Sequence, residues 1–181
     1  MIFGLFRKKN NNQAIVVRQY EQLTQAARRP AFYTGMGVPD TVLGRFEMLT
    51  IMLILYFRRT AQSERSGQEI AQEIIDYFFE DIDHSIRELG VGDVGVPKRV
   101  KKFARMYYGR LESYAAALDQ GDLDALKAAL RRNIRPDEPD APDMAELAAY
   151  MMEAEAALKT IGEDVIAAGG AIFPEPQTME G

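Results

Sequence analysis

Cysteine and tryptophan are absent from the 181 residues, and histidine occurs once. Without cysteine there is no disulfide framework, no thiolate nucleophile and no Cys-ligated zinc or iron–sulfur centre. A single histidine, His84, excludes a His-rich metal site and any mechanism that needs two imidazoles. Long hydrophobic runs are missing too. The most apolar stretch, Phe46 to Phe57, has ten hydrophobic residues of twelve, whereas a bilayer crossing needs about 20. The opening Met1–Lys9 is not read as a signal peptide, because its charges follow a short apolar run with no small-residue cleavage site. What is present is 47% hydrophobic and 27% charged residues, the composition of a globular chain long enough to bury one core.

Acidic and basic residues are unevenly distributed. The net charge of −5 combines residues 1–136, with 21 basic and 16 acidic side chains, and residues 137–181, with one basic (Lys159) and 11 acidic. A basic body followed by an acidic C-terminal quarter implies either mutual attraction or a basic face kept for an acidic or membrane partner.

Helical periodicity dominates and no alternating strand pattern stands out. Residues 1–12 read as a flexible basic and apolar segment, or as a weak surface anchor through Phe3, Leu5, Phe6 and Arg7–Lys9. The first helix is expected over 13–28 and ends at Arg29-Pro30. Residues 30–40 read as a loop, with Asp40 or Thr41 capping a second helix over 41–60. That helix, apolar on all sides, is expected at the centre of the fold. Ser66 and Glu69 stand at capping-box spacing before a third helix whose Ile70, Ile74, Phe78, Ile82 and Ile86 recur every four residues. Gly90 stops it. A glycine-rich loop leads to Pro97, placed as the first residue of a fourth helix to about 120. Asp122 caps a fifth, 135–142 forms an acidic proline-punctuated linker, and Asp143 with Glu146 opens a C-terminal helix over about 143–168. Residues 169–181 read as a loose tail onto which Phe173 and Pro174 can pack. The fold class is all-α, a single compact domain of five to six helices spanning 13–134, with the C-terminal helix packed against it.

Chemical motifs are few. Gly90-Val-Gly-Asp-Val-Gly95 has the Gly-x-Gly-x-x-Gly spacing of dinucleotide sites, but a helix precedes it and no βαβ unit surrounds it. Glu80 and Asp81 lie one turn before His84, and a di-iron bundle would require a second Glu-x-x-His. The most informative cluster is basic: Lys98, Arg99, Lys101, Lys102 and Arg105. Cations in the first turns of a helix oppose its dipole. Their placement against that local rule suggests a docking patch for a phosphate-bearing or acidic surface, unless Asp93 or the acidic C-terminal segment neutralises them. Specific DNA reading is not expected.

Several segments in order resemble the ubiquinol–cytochrome c chaperone family. They are Arg29-Pro-Ala-Phe-Tyr33, Gly37-Val-Pro-Asp-Thr41 with Gly44-Arg-Phe-Glu-Met-Leu49, and above all Asp81 through Lys102, continuing to Tyr108-Gly-Arg110, Tyr114 and Arg132-Asn-Ile134. The resemblance covers about residues 13–165. One departure is Met52, where the family pattern commonly has histidine, which argues against a haem-ligand role there. The resemblance implies a non-enzymatic assembly factor, in a bacterial version, that binds newly made cytochrome b and assists cytochrome bc1 assembly. It implies no cofactor or metal. It also brings in the ribosome or an anionic membrane as docking surface, leaves a partner subunit unidentified, and places the chain in the cytoplasm or peripherally at the inner face of the plasma membrane.

Candidate protein-binding residues are Phe32, Tyr33, Asp40, Arg45, Phe46, Asp83, Arg87, Asp93 and Pro97, with Lys98, Arg99, Lys101, Lys102 and Arg105 as the basic docking patch. The Phe46–Phe57 helix, with Phe78 and Phe79, is the expected apolar surface for a membrane-protein client. Two alternatives stand beside this reading. One is an all-α lipid-, quinone- or haem-binding protein, which needs a closed apolar cavity. The other is an isoprenoid-synthase-like enzyme, which needs paired acidic Mg²⁺ motifs on facing helices.

Overall fold

A helix that is apolar all round has to be surrounded, and the fold is built on that requirement. The computed structural model describes residues 2–177, with side chains described from residue 12 onward. Among them are eight helices and no strand: α1 (Ile2–Ala27), α2 (Pro30–Thr34), α3 (Val42–Thr60), α4 (Arg65–Glu88), α5 (Val96–Gln120), α6 (Leu123–Ile134), α7 (Ala145–Lys159) and α8 (Glu163–Ala167). None is long and apolar enough to cross a membrane. Central α3 packs against α1, α4, α5 and α7. Its Met48 and every residue from Ile51 to Tyr56 are fully buried. The surrounding helices each present a stripe, such as Ile70, Ile74, Phe78, Ile82 and Ile86 along α4.

Local signals for the long helices hold. Thr41 Oγ1 accepts from the Gly44 amide at 3.1 Å, capping α3. The chain doubles back so closely there that a Cβ on Gly44 would lie 1.9 Å from the Pro39 carbonyl oxygen. Gly121 ends α5 in the left-handed region at φ 61°, and Asp122 caps α6 by accepting from the Ala125 amide at 2.9 Å.

Other expectations fail for identifiable reasons. The first helix begins at Ile2 rather than 13, since asparagines lower helix propensity without stopping a helix. The anchor reading of Phe3–Lys9 rests on side chains outside the described residues. Two five-residue helices, α2 and α8, raise the number beyond five or six. Helices that short carry no readable period, and Pro30 both follows the end of α1 and opens α2. The Ser66–Glu69 capping box does not form. Glu64 is the residue that precedes α4, Ser66 lies inside the helix and Glu69 pairs with Arg65 at 2.9 Å. The α4 N-terminus is instead served by α8, where Glu163 accepts from the Glu64 amide at 3.3 Å. Arg59 donates to that same carboxylate at 2.7 Å and to the Ile161 carbonyl at 2.7 Å. Asp143 does accept from the Ala145 amide at 3.0 Å, one residue ahead of a left-handed Met144, without help from Glu146.

Residues 169–177 are not a loose tail. Ala171 and Phe173 are buried. The Gln19 amide grips Ala171 twice, donating to its carbonyl at 3.1 Å and accepting from its N–H at 2.9 Å. Arg29 donates to the Phe173 and Pro174 carbonyls, at 3.2 and 2.6 Å, and Tyr150 donates to Pro174 at 3.2 Å. Three side chains thus replace the hydrogen bonds that an extended segment cannot make internally.

A buried ion pair joins two of the helices. The Glu47 carboxylate of α3, fully buried, receives two hydrogen bonds from Arg110 of α5, at 2.6 and 2.5 Å. Arg110 also donates to the Met106 carbonyl at 3.1 Å. Burial pushes the Glu47 carboxyl up, and the two hydrogen bonds and charge of Arg110 only partly offset that rise.

Candidate functional site: a basic helix face beside an apolar groove

The basic cluster stands on the first turns of α5. Lys98, Lys101, Lys102 and Arg105 recur at spacings of three and four, which places them on one face, with Arg99 on the adjoining side. All five are exposed. None forms an ion pair among the described residues. No acidic residue occupies the first turn, and the helix opens on Gly95 without a side-chain cap. The cations therefore meet the positive end of the helix dipole without local compensation.

Neither expected source of neutralisation reaches them. Asp93 is held by Arg87, which also donates to Asp83 at 2.6 Å, so the three residues form a staple between the end of α4 and the loop. The hydrogen bond that Arg87 donates to Asp83 is the largest cause of an upward shift on Arg87. The acidic C-terminal quarter pairs elsewhere. Glu155 binds Arg58 at 2.5 Å, Glu163 binds Arg59 at 2.7 Å and Glu175 binds Arg29 at 2.9 Å. Asp143 reaches Lys127 at 3.8 Å, and Glu138 reaches Arg135 at 2.7 Å. Attraction between the two charge blocks is thus real, and it leaves the α5 cluster open.

The remaining candidates separate into three places. Tyr33, Asp40 and Arg45 come together with Arg28 around a shallow polar cleft of about 410 Å³, where Asp40 accepts from Arg45 at 2.9 Å. Asp83, Arg87 and Asp93 form the staple, and Pro97 stands exposed beside the cations. Phe32 and Phe46, expected at a binding surface, belong to the core. Phe32 packs edge-on against Tyr150, and Phe46 packs against Phe78 and Phe103. The Phe46–Phe57 helix is likewise enclosed, so apart from the half-buried Leu49 and Phe57 it offers a client no face in this conformation. An apolar run on all sides is what an interior helix needs, and the same run gives no sign of an exposed stripe.

The apolar concavity lies one layer out. A groove of about 420 Å³ between α3, α4 and α5 is lined by Phe57, Ala71, Ile75, Tyr107, Tyr108 and Leu111, with Gln68 and Gln72 at its edge. Tyr107 is buried against Phe78 and Phe79, whereas its neighbour Tyr108 is 57% exposed and stacks edge-on against it at 5.3 Å. Sequence reasoning missed this groove, although adjacent tyrosines on a helix with one buried face cannot both be core. On α5, Tyr108 continues the basic face one turn past Arg105, so cations and groove adjoin.

His84 is exposed, with Glu88 at 3.3 Å. Asp81 accepts from Tyr20 at 2.8 Å, away from it. Among the described residues, no three His, Asp or Glu side chains gather in a metal-binding group. Met52 is fully buried in the core.

Similarity to known proteins agrees with this arrangement. Residues 34–173 match the family model described as ubiquinol-cytochrome C chaperone. A curated relative, ubiquinol-cytochrome-c reductase complex assembly factor 1 of Xenopus laevis, is 23% identical over 159 residues, covering 87% of this chain and 79% of that protein. Among solved structures, the crystal structure of the Cbp3 homolog from Brucella abortus is 49% identical, covers 97% of both chains and superposes with a TM-score of 0.86. With the family match extending from α2 to the buried C-terminal segment, the chain belongs to the ubiquinol–cytochrome c chaperone family, whose members are assembly factors rather than enzymes.

Proposed function

We propose that this chain holds newly made cytochrome b during assembly of the cytochrome bc1 complex, working peripherally at the inner face of the membrane into which that client inserts. Family membership supplies the process. The single observation that supports a holding role is the α3–α4–α5 groove, an apolar concavity open to solvent beside an unpaired basic face. A segment of a membrane protein is apolar and is bounded by polar loops, so such a groove matches its side chains without enclosing it. Release follows from the same geometry, because a half-open groove buries only one face of the client. A lipid, quinone or haem carrier would instead need an enclosed chamber, and this groove is open along its length.

A photoreactive residue at Tyr108 tests the reading during synthesis of cytochrome b in a membrane-containing lysate. The expected product is an adduct of this chain with cytochrome b, absent when the probe replaces His84 on α4. No adduct at position 108, together with normal bc1 content in a strain deleted for the gene, would overturn the proposal.

A further inference from the structure

Two of the most exposed aliphatic side chains lie beside the basic cluster. Leu89, just past the end of α4, is 71% exposed, and Val94, in the loop before α5, is 97% exposed. Val96, fully buried, pins the C-terminal end of that loop to the core. The staple from Arg87 to Asp83 and Asp93 pins the other end. Gly90 and Gly92 would meet nothing within 4 Å if given a Cβ, so the tip stands clear of the body. The tip is therefore a supported projection, with aliphatic side chains that no described residue covers.

The charges next to it are arranged consistently. Lys98, Arg99, Lys101, Lys102 and Arg105 follow within three turns, exposed and without an ion pair among the described residues. Of the acids nearest in sequence, Asp83 and Asp93 are already occupied by Arg87, and Glu88 lies against His84. A surface that joins exposed aliphatics to unopposed cations is complementary to an anionic bilayer, which offers acyl chains just below a layer of phosphates. Nucleic acid matches less well. Single-stranded RNA is held by stacking on aromatic or guanidinium planes, and Leu89 and Val94 provide neither.

We propose that the α4–α5 loop and the first turns of α5 dock on an anionic lipid bilayer, Leu89 and Val94 entering the headgroup boundary and the five cations lying at the phosphates. This rests on the reading of the chain as an assembly factor working at a membrane. It adds the surface that faces the lipid, and leaves the Tyr108 groove directed at the client.

Flotation of the full chain with vesicles of phosphatidylcholine alone, or with about a third phosphatidylglycerol, tests it. Binding is expected to the anionic vesicles only, falling steeply between low and high salt. Each surface cation is worth about fivefold in partitioning, so Lys98→Gln/Lys101→Gln/Lys102→Gln should lose about a hundredfold. Leu89→Ser/Val94→Ser, which keeps every charge, should still lose severalfold. All five positions are exposed, and an unchanged circular dichroism spectrum and Tm confirm folding of each variant. No binding to anionic vesicles, equal binding to neutral ones, or indifference to Leu89→Ser/Val94→Ser would overturn the proposal. So would lysine-dependent sedimentation with ribosomes in place of vesicles. Crosslinking from Tyr108 in the same variants separates the two readings. Vesicle binding lost while the cytochrome b adduct persists removes only the membrane surface, whereas an adduct missing from chains that still bind vesicles removes only the client reading.

Discussion

The Glu47–Arg110 pair allows the interior of this helical body to be tested quantitatively. Glu47 has no exposed side-chain surface and Arg110 retains 10%. Two charge-assisted bonds, at 2.6 and 2.5 Å, join α3 to α5. Removing one partner from such a pair leaves an uncompensated buried charge and costs about 3–5 kcal/mol, whereas replacing both with apolar groups of similar volume is often neutral or stabilising. Glu47→Met and Arg110→Met should therefore each destabilise strongly. At about 2–4 °C per kcal/mol for a chain of this size, that is a Tm loss of roughly 6–20 °C. The double variant should return to within about 1 kcal/mol of the parent. The two single variants should also differ with pH. In Arg110→Met the orphaned carboxyl can take up a proton. Its folded pKa then rises further above the unfolded value, so the folded state is favoured at low pH and loses stability as pH rises through the folded pKa. Glu47→Met strands a guanidinium that stays charged, and acid brings no relief. Urea unfolding followed by circular dichroism at pH 5 and pH 8 reads both effects. Additive losses in the double variant, or equal pH dependence in the two singles, would refute the view of the pair as a self-compensating unit.

Further predictions concern the C-terminal segments. Gln19→Ala should leave the Ala171 N–H and carbonyl without protein partners, at about 1–3 kcal/mol for each group that stays dry. Rapid proteolytic cleavage within 169–177 should then occur under conditions where the parent resists, and equal resistance would show that Arg29 and Tyr150 hold the segment unaided. The Glu163 carboxyl is pulled below its ordinary value of 4.5, chiefly by the hydrogen bond from Arg59. Because its folded pKa lies below the unfolded one, the contribution is present above about pH 4.5 and is lost as pH falls through the folded value. Amide exchange at the start of α4 should accelerate in that acid window for the parent, whereas Glu163→Gln should exchange at a rate that changes little across it.

Most of the helical scaffold could be read from the chain because its causes are local. The i,i+4 stripe of α4, the caps Thr41 and Asp122, and the glycines after α4 and α5 act within a few residues of where they stand. The all-round apolar α3 could only be central. Short-range signals misled where a distant partner took over. The α4 N-terminus uses Glu163 in place of its own Ser66, and residues 169–177 are held by Gln19, Arg29 and Tyr150. The candidate site divided along the same line. The basic cluster and its conflict with the helix dipole were visible in the order of residues. Phe32 and Phe46 lie in the core, which the sequence did not disclose because aromaticity does not reveal which side of a helix faces a neighbour.

By itself, then, the sequence determined the all-α class, the exclusion of thiol and two-imidazole chemistry, the family, and the existence of a clustered basic segment. These depend on composition, local periodicity and motif order. Only the tertiary structure decided which acids are occupied, that the C-terminal quarter pairs with Arg29, Arg58 and Arg59 and leaves the α5 cations open, and that the Tyr108 groove and the Leu89–Val94 loop stand exposed beside those cations. Those outcomes depend on which side chains meet across the bundle, and charge pairing and burial are properties of that meeting rather than of the residue types.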